Sequence, residues 1–390
     1  MFPEPAVVVN ARAETRLRRG HPWVFRSDVV RARDIQPGAH VRVVGASGRL
    51  LGTALWSSIS EIRLRLLTFG EREPERDWLQ ARLAAARRWR QAVAADASAY
   101  RLVHGEGDGL PGLVVDCYGG HVVVQTLTEA IDRRKAELVA ALVELLAPAG
   151  ILERNDPRVR QLEGLERKVG LLHGQVPETV EVVEHGLRFE ADLWKGQKTG
   201  LFLDQRENHA AARAYARGRV LDGFSYNGGF ALHVAAQAGE VLAVDTSEEA
   251  VERIAGNARR NGLTNVSARS VNVFDLLRDL DDRGETFDTI VLDPPAFAKS
   301  RDAAEKARRG YKEINLRALK LLAPGGCLIT CSCSYHVHEG DFEQVLHEAA
   351  TDAGATVSLV EKRRQARDHP VLLGVPETYY LKCFVLRKLA

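Results

Sequence analysis

The chain has little cysteine and no ordered spacing of it: five residues, at positions 117, 327, 331, 333 and 383, among 390. Neither a disulfide framework nor a zinc-type ligand set can be read from that pattern, and Cys331-x-Cys333 is too tight for the usual C-x-x-C pair. Free thiols and no metal site are expected. No apolar run approaches the roughly 20 residues needed to span a bilayer, and the N-terminus lacks a basic-then-apolar signal pattern. A cytoplasmic chain with no membrane partner is therefore expected. Internal repeats and low-complexity tracts are missing as well, and a net charge of only +2 argues neither for nor against nucleic acid. Lysine is scarce, with eleven in all and none in residues 1–70, where eleven arginines face five acidic residues for a local charge of +6. Guanidinium forks match phosphate oxygens bidentately, so the first segment is a candidate phosphate-binding surface. The alternative is a solvated face of an Arg-rich chain.

What is present divides into three pieces, since 390 residues exceed the usual single domain. Residues 1–70 read as a small β-rich unit, with strands at Val7–Val9, Val41–Val44, Leu50–Trp56 and Ile62–Leu67 and turn chemistry at Gly45, Ser47 and Gly48. Residues 71–185 read as α+β, with helices over about Glu75–Ala95 and Ile131–Leu146 and strands between. The run Gly105-x-Gly107-x-Gly109 lies between two strands rather than opening a helix, so it reads as a turn and not a dinucleotide fingerprint. Residues 186–390 turn into repeated strand–loop–helix units from Arg219 onward, the pattern of an α/β, mostly parallel, doubly wound sheet. Ligands of such sheets bind outside the carboxyl ends of the strands.

Three of those strand ends suggest one ligand. The first carries Asp222-Gly223-Phe224-Ser225-Tyr226-Asn227-Gly228-Gly229, whose glycines admit a close backbone approach and whose helix start can donate to a carboxylate. The second ends in Asp245-Thr246, where a carboxylate can accept both hydroxyls of a ribose. The third leads to Asn272-Val273-Phe274-Asp275, a polar and aromatic group able to recognise a base. Since the first loop lacks the G-x-G-x-x-G spacing that cradles a pyrophosphate, S-adenosylmethionine fits better than NAD. The competing reading makes Asp245 and Asp275 helix caps. Two further strand ends carry Asp293-Pro294-Pro295 and, forty residues later, Cys333 in Thr330-Cys331-Ser332-Cys333-Ser334. A potential nucleophile and a polar loop thus stand at neighbouring strand ends.

Taken in order, Arg18–Phe25, His104–Gly112, Lys198-Thr199-Gly200-Leu201-Phe202-Leu203-Asp204-Gln205-Arg206, the cofactor loop, Asp293-Pro294-Pro295-Ala296-Phe297 and Ser332-Cys333-Ser334 resemble the bacterial 23S ribosomal RNA cytosine-C5 methyltransferases of the RlmI type. The resemblance runs almost end to end. It implies an N-terminal PUA domain, a middle RNA-associated α+β domain and a C-terminal class I, Rossmann-like methyltransferase domain acting on 23S rRNA; a homodimer is an open expectation. It also places Lys198, Thr199, Gly200 and Phe202 against the methionine part of the cofactor, although Trp194–Gly200 read alone is a basic loop that could contact phosphate.

The resemblance further selects Cys333 over Cys331 and Cys327 as nucleophile, a choice that strand alternation alone leaves open because Cys331 and Cys333 would share a side. Thiolate attack at C6 of a pyrimidine makes C5 enamine-like, so that it can take a methyl group, lose its proton and expel the thiol. Asp293 would hydrogen-bond N3 or the exocyclic amine of cytosine. Phe297 could stack on the extruded base or simply anchor the loop. No second cysteine occupies the Asp-Pro-Pro loop, so a different, unnamed base must take the C5 proton. Lys299, Arg301, Arg308 and Arg309 could track phosphates or face water, and His336-x-His338 reads as a solvated loop. Rival readings are uracil-C5 or amine methylation, an inactive RNA-binding assembly factor, and an NAD-dependent dehydrogenase.

Overall fold

The computed structural model describes residues 5–75, 77–297 and 304–389. Strands β1 (Ala6–Val9), β2 (Trp23–Phe25), β3 (Val29–Arg31), β4 (His40–Val44), β5 (Leu50–Trp56) and β6 (Ile62–Phe69) form a six-stranded sheet in the order β2-β6-β5-β4-β1-β3. Its core includes Val7, Val9, Val41, Val43, Ala54 and Leu64, and along β1 and β4 buried positions alternate with partly exposed ones, which is how a small sheet buries one face. A second sheet, in the order β11-β10-β9-β8-β7, is made of β7 (Ala99–His104), β8 (Leu113–Tyr118), β9 (His121–Thr126), β10 (Gly150–Asn155) and β11 (Lys168–Gly174). Helices Trp78–Val93 and Lys135–Leu146 bury Leu79, Leu83, Leu138 and Leu142 in its core.

Buried polar ties join these two sheets. Glu163 accepts from Ser57 Oγ at 2.9 Å and from Arg65 at 2.8 Å, Glu129 accepts from the Ser58 amide at 2.8 Å, and Trp23 Nε1 donates to Glu106 at 3.0 Å. By compactness the chain divides into two units, Met1–Val180 with Ala191–Gly200 and Arg367–Thr378, and Glu181–Glu190 with Leu201–Ala366 and Tyr379–Ala390. The single helix expected over Ile131–Leu146 is two, Glu129–Asp132 and Lys135–Leu146, with the break at Arg133-Arg134. The run Gly105–Asp108 is a short 3-10 turn closed by Gly109 in the left-handed region.

A two-stranded pair, β12 (Thr179–Glu184) and β13 (Leu187–Asp192), precedes the large sheet. That sheet has seven strands, β14 (Arg219–Gly223), β15 (Glu240–Asp245), β16 (Val266–Ser270), β17 (Phe287–Leu292), β18 (Leu322–Ser332), β19 (Val357–Arg364) and β20 (Lys382–Lys388), in the order β16-β15-β14-β17-β18-β20-β19. The first five in that order are parallel and β20 is antiparallel to both neighbours. Continuous apolar runs such as Ile290–Leu292 suit strands buried between helices, and helices Val273–Asp282, Ala304–Leu321 and Glu339–Asp352 pack together over one face. The chain leaves β14 toward β15 and β16, then returns to β17 on the other side. This reversal opens a crevice at the carboxyl ends of β14 and β17.

Candidate active site

The Asp-Pro-Pro loop leaves the end of β17 tied to β14, through a hydrogen bond from the Asp293 amide to Gly223 O at 3.3 Å. β18 ends at Ser332, so Cys333 lies one residue beyond the strand and its direction is not set by alternation with Cys331. The Cys333 thiol reaches Pro294 O at 3.8 Å, which brings the two loops together.

Burial then separates the thiols on physical grounds. Cys331 is fully buried opposite Cys383 on β20, and burial together with that neighbouring thiol pushes it well above the ordinary range. Cys327 is also raised by burial, whereas Cys333 is half-exposed. A thiol in an apolar setting is inert, and a reactive one needs exposure and a cation nearby.

Sequence reasoning missed that cation. Lys382 opens β20 buried, with Nζ donating to Ser334 O and Tyr380 O, each at 2.8 Å. Burial lowers its pKa to about 8, against the attraction of Cys333. Tyr311, buried on helix Ala304–Leu321, fixes the same turn by an OH···Ser334 Oγ contact of 2.9 Å. The available signal was a lysine heading the apolar run Cys383-Phe384-Val385-Leu386.

The loop after β14 is shaped by three left-handed residues, Phe224, Tyr226 and Gly228. At Gly228 (φ 88°) a Cβ would also lie 2.4 Å from Leu232, so both backbone and packing demand glycine. Asp222 organises the turn: one carboxylate oxygen accepts Ser225 Oγ at 2.5 Å and the Ala231 amide at 2.9 Å. Burial raises its pKa to about 7 against those two hydrogen bonds, with the Asp293 charge adding to the rise. Its other oxygen is buried without a hydrogen-bond partner among the described residues. An orphaned buried carboxylate oxygen at the crevice fits a cationic ligand, and a sulfonium is one.

Asp245, half-buried, accepts from the Tyr226 amide at 2.9 Å and the Ser247 amide at 3.1 Å. Each carboxylate oxygen has two acceptor sites, so capacity for a diol is left beside this capping role. Thr246 is exposed next to it. Asn272 caps helix Val273–Asp282 through its side-chain oxygen, 2.9 Å from the Phe274 amide, and Asp275 is exposed on the first turn with Arg278 at 3.8 Å. Asn227 is buried and its carbonyl accepts from Asn257 at 3.0 Å. Phe202 meets Tyr226 edge-on, ring centres 5.0 Å apart, and so joins the loop.

Lys198, Thr199 and Gly200 belong to the first unit. There the Thr199 hydroxyl donates to Asp116 at 2.6 Å and meets Tyr118 OH at 2.9 Å, while Arg101 grips Asp116 at 2.6 and 2.8 Å. The segment is held by a buried ionic anchor, with Lys198 in the left-handed region.

Phe297 packs on Tyr311 (4.7 Å between centres) and Phe274 (5.8 Å), the arrangement of a loop anchor. Lys299 and Arg301 lie outside the described residues; Arg308 pairs with Asp341 at 2.7 Å and Arg309 is exposed. His338 caps helix Glu339–Asp352. In residues 1–70 several arginines serve the fold: Arg12 and Arg16 hold buried Asp28 at 2.6 and 2.7 Å, and Arg65 holds Glu163. Arg19, Arg26, Arg31, Arg33 and Arg49 are exposed. Among the described residues no helix is long and apolar enough to cross a membrane.

Residues 100–386 match the S-adenosylmethionine-dependent methyltransferase family, and residues 7–69 match the PUA-like domain. The chain is 40% identical to the Ribosomal RNA large subunit methyltransferase I of Erwinia tasmaniensis, with 98% of each chain covered. It is 42% identical to the protein of that name from Tolumonas auensis, with 98% of each covered. A Streptococcus mutans chain described as a SAM-dependent methyltransferase has the same fold, with TM-score 0.83 at 22% identity, covering 98% of this chain and 100% of that one. A methyltransferase solved with SAH gives TM-score 0.84 at 22% identity and the same coverage, 98% and 100%.

Proposed function

Because the chain belongs to the S-adenosylmethionine-dependent methyltransferase family and has a PUA-like N-terminal domain, we propose that it methylates C5 of a cytosine in large-subunit (23S) ribosomal RNA through a covalent bond from Cys333 to C6. The approach of Cys333 Sγ to Pro294 O, 3.8 Å across the ends of β17 and β18, carries this reading. It puts the half-exposed thiol beside the loop of Asp293. Residues 1–70 and 71–185 would engage the RNA, and a ribosomal substrate implies action in the cytoplasm.

The cofactor supplies an electrophilic methyl group. Asp222, Phe224, Ser225, Asn227 and Gly228 would hold it at the first strand end, Asp245 and Thr246 at the second, Asn272 and Asp275 at the third, with Phe202 as a further contact. Lys382, acting through its place beside the Cys333 turn, stabilises the thiolate. The thiolate adds to C6, and Asp293 hydrogen-bonds the base edge where charge develops. Once C5 carries the methyl group, loss of its proton to a base expels the thiolate and restores the aromatic ring.

The test uses RNA carrying 5-fluorocytosine, in which the C5 substituent cannot leave as a proton. With S-adenosylmethionine present, a protein–RNA adduct stable to denaturation is expected, absent in Cys333→Ala. Turnover retained by Cys333→Ala would overturn the covalent reading. Mass mapping of ribosomal RNA from a deletion strain then identifies the base and separates cytosine from uracil.

A further inference from the structure

Glu184 ends β12, His209 lies on helix Arg206–Ala212 and His233 on helix Gly229–Ala235; all three are buried, and one donor atom from each lies within 4.8 Å of the others. Their sequence separations give no ligand spacing, so this group is invisible without the fold. His209 Nδ1 sits 2.7 Å from Glu184 Oε1, and His233 Nε2 sits 3.6 Å from the same oxygen.

A hydrogen bond explains the first contact but not the second. His233 Nδ1 donates to Gly229 O at 2.7 Å, which leaves Nε2 as a lone pair. That nitrogen is fully buried with no hydrogen-bond partner among the described residues. A lone pair and a carboxylate therefore face each other, an arrangement that a cation between them relieves. Fixing one imidazole nitrogen by a backbone carbonyl, so that the other points at a metal, is the usual support for a ligating histidine.

Dimensions agree with this reading. Metal–ligand bonds of about 2.0–2.2 Å in tetrahedral geometry set donor atoms roughly 3.3–3.5 Å apart. The 3.6 Å pair lies at that spacing, and the 2.7 Å hydrogen-bonded pair would lengthen when an ion replaces its proton. The His209 ring is accommodated because residue 229 is glycine: a Cβ there would lie 2.6 Å from its Nε2. Phe189 stacks on His233 at 5.8 Å, Phe230 meets His209 edge-on at 4.6 Å and His185 meets His233 edge-on at 6.0 Å, so aromatic rings flank both imidazoles.

We propose that Glu184, His209 and His233 bind a divalent transition-metal ion, with Zn2+ the best match to two imidazoles and a carboxylate. The ion would join β12 to the helix that starts at Gly229, the residue after the cofactor loop. It would be a structural clamp on that loop.

The experiment uses the untagged full-length chain, stripped with a chelator and dialysed against Zn2+ alone or Co2+ alone. About one equivalent of retained metal is expected by elemental analysis, with the strong visible absorption of four-coordinate Co2+. His233→Gln and Glu184→Gln should each retain metal at least about tenfold more weakly, while the double variant of His336 and His338 to Ala keeps it. Should the buried variants fail to fold, thermal melting of the wild type decides: Zn2+ must raise the transition temperature. A wild type that takes up neither ion and shows no such shift, or a folded His233→Gln that binds as tightly as wild type, overturns the proposal.

Discussion

Replacing Lys382 by Met removes a buried ammonium beside Cys333 while keeping most of the side-chain volume. The ammonium and the Cys333 thiolate attract one another, and such an attraction between unit charges at an effective dielectric of about 20 is on the order of 2–3 kcal/mol. On that basis the thiolate fraction, and alkylation of Cys333 at neutral pH, should fall about ten- to hundredfold. Stability should change much less. Burial lowers the Lys382 pKa from 10.5 to about 8, so the unfolded chain binds more protons between those values. The burial penalty, about 3 kcal/mol, is therefore fully present below pH 8 and is relieved as pH rises toward 10.5. Lys382→Met removes that penalty together with two charged hydrogen bonds, to Ser334 O and Tyr380 O. Such bonds are worth about 1.5–3 kcal/mol each, so the terms partly offset. The assay is the pH profile of iodoacetamide labelling at Cys333, mapped by mass spectrometry, beside denaturant melts from pH 7 to 10. Wild type should gain stability across that interval and Lys382→Met should not. A labelling profile for Lys382→Met that superimposes on wild type would refute the assignment of Lys382 as the thiolate's partner.

Asp222, with its pKa raised to about 7, has the opposite sign: the folded state binds the extra proton between pH 3.8 and 7, so stability falls as pH rises through that window. Asp222→Asn should abolish this slope in thermal melts of the ligand-free chain, stabilise it above pH 7 by up to about 4 kcal/mol, and weaken S-adenosylmethionine binding in calorimetry. Arg90 is buried and grips Asp108 at 2.7 Å, Arg101 O at 2.8 Å and Asp368 O at 2.7 Å. Arg90→Met strands a buried carboxylate and should lose about 3–5 kcal/mol in denaturant unfolding. Removing Arg19, Arg26, Arg31, Arg33 or Arg49 should each shift the salt dependence of RNA binding by about 0.7–0.9 in slope, read by filter binding across a salt series. Removing Arg65, which is spent on Glu163, should reduce stability instead.

The contrast between Arg19 and Arg65 locates what a sequence can express. Charge in residues 1–70 is additive and readable, but which guanidinium meets solvent depends on where acidic groups such as Asp28 and Glu163 fall in space. The parallel strands from β14 to β18 were legible because their signal is local: apolar runs bounded by Gly and Asp loops, each strand end exposing its own motif. Cys333 and Asp293 belong to that local class, and the parallel pairing of β17 with β18 brings their loops together. Lys382 belongs to the other class. It reaches Ser334 only because β20 runs antiparallel to β18 in a register that pairs Ser332 with Lys382, and no feature of residues 327–334 encodes that register. Choosing between Cys331 and Cys333 likewise needs the residue at which β18 stops, a boundary set by its neighbours more than by its own propensity. Glu184, His209 and His233 depend on three elements converging at once, so their chemistry appears only when the fold is complete. Chemistry carried by one loop is thus written in the chain, while chemistry shared between elements is written in register and packing.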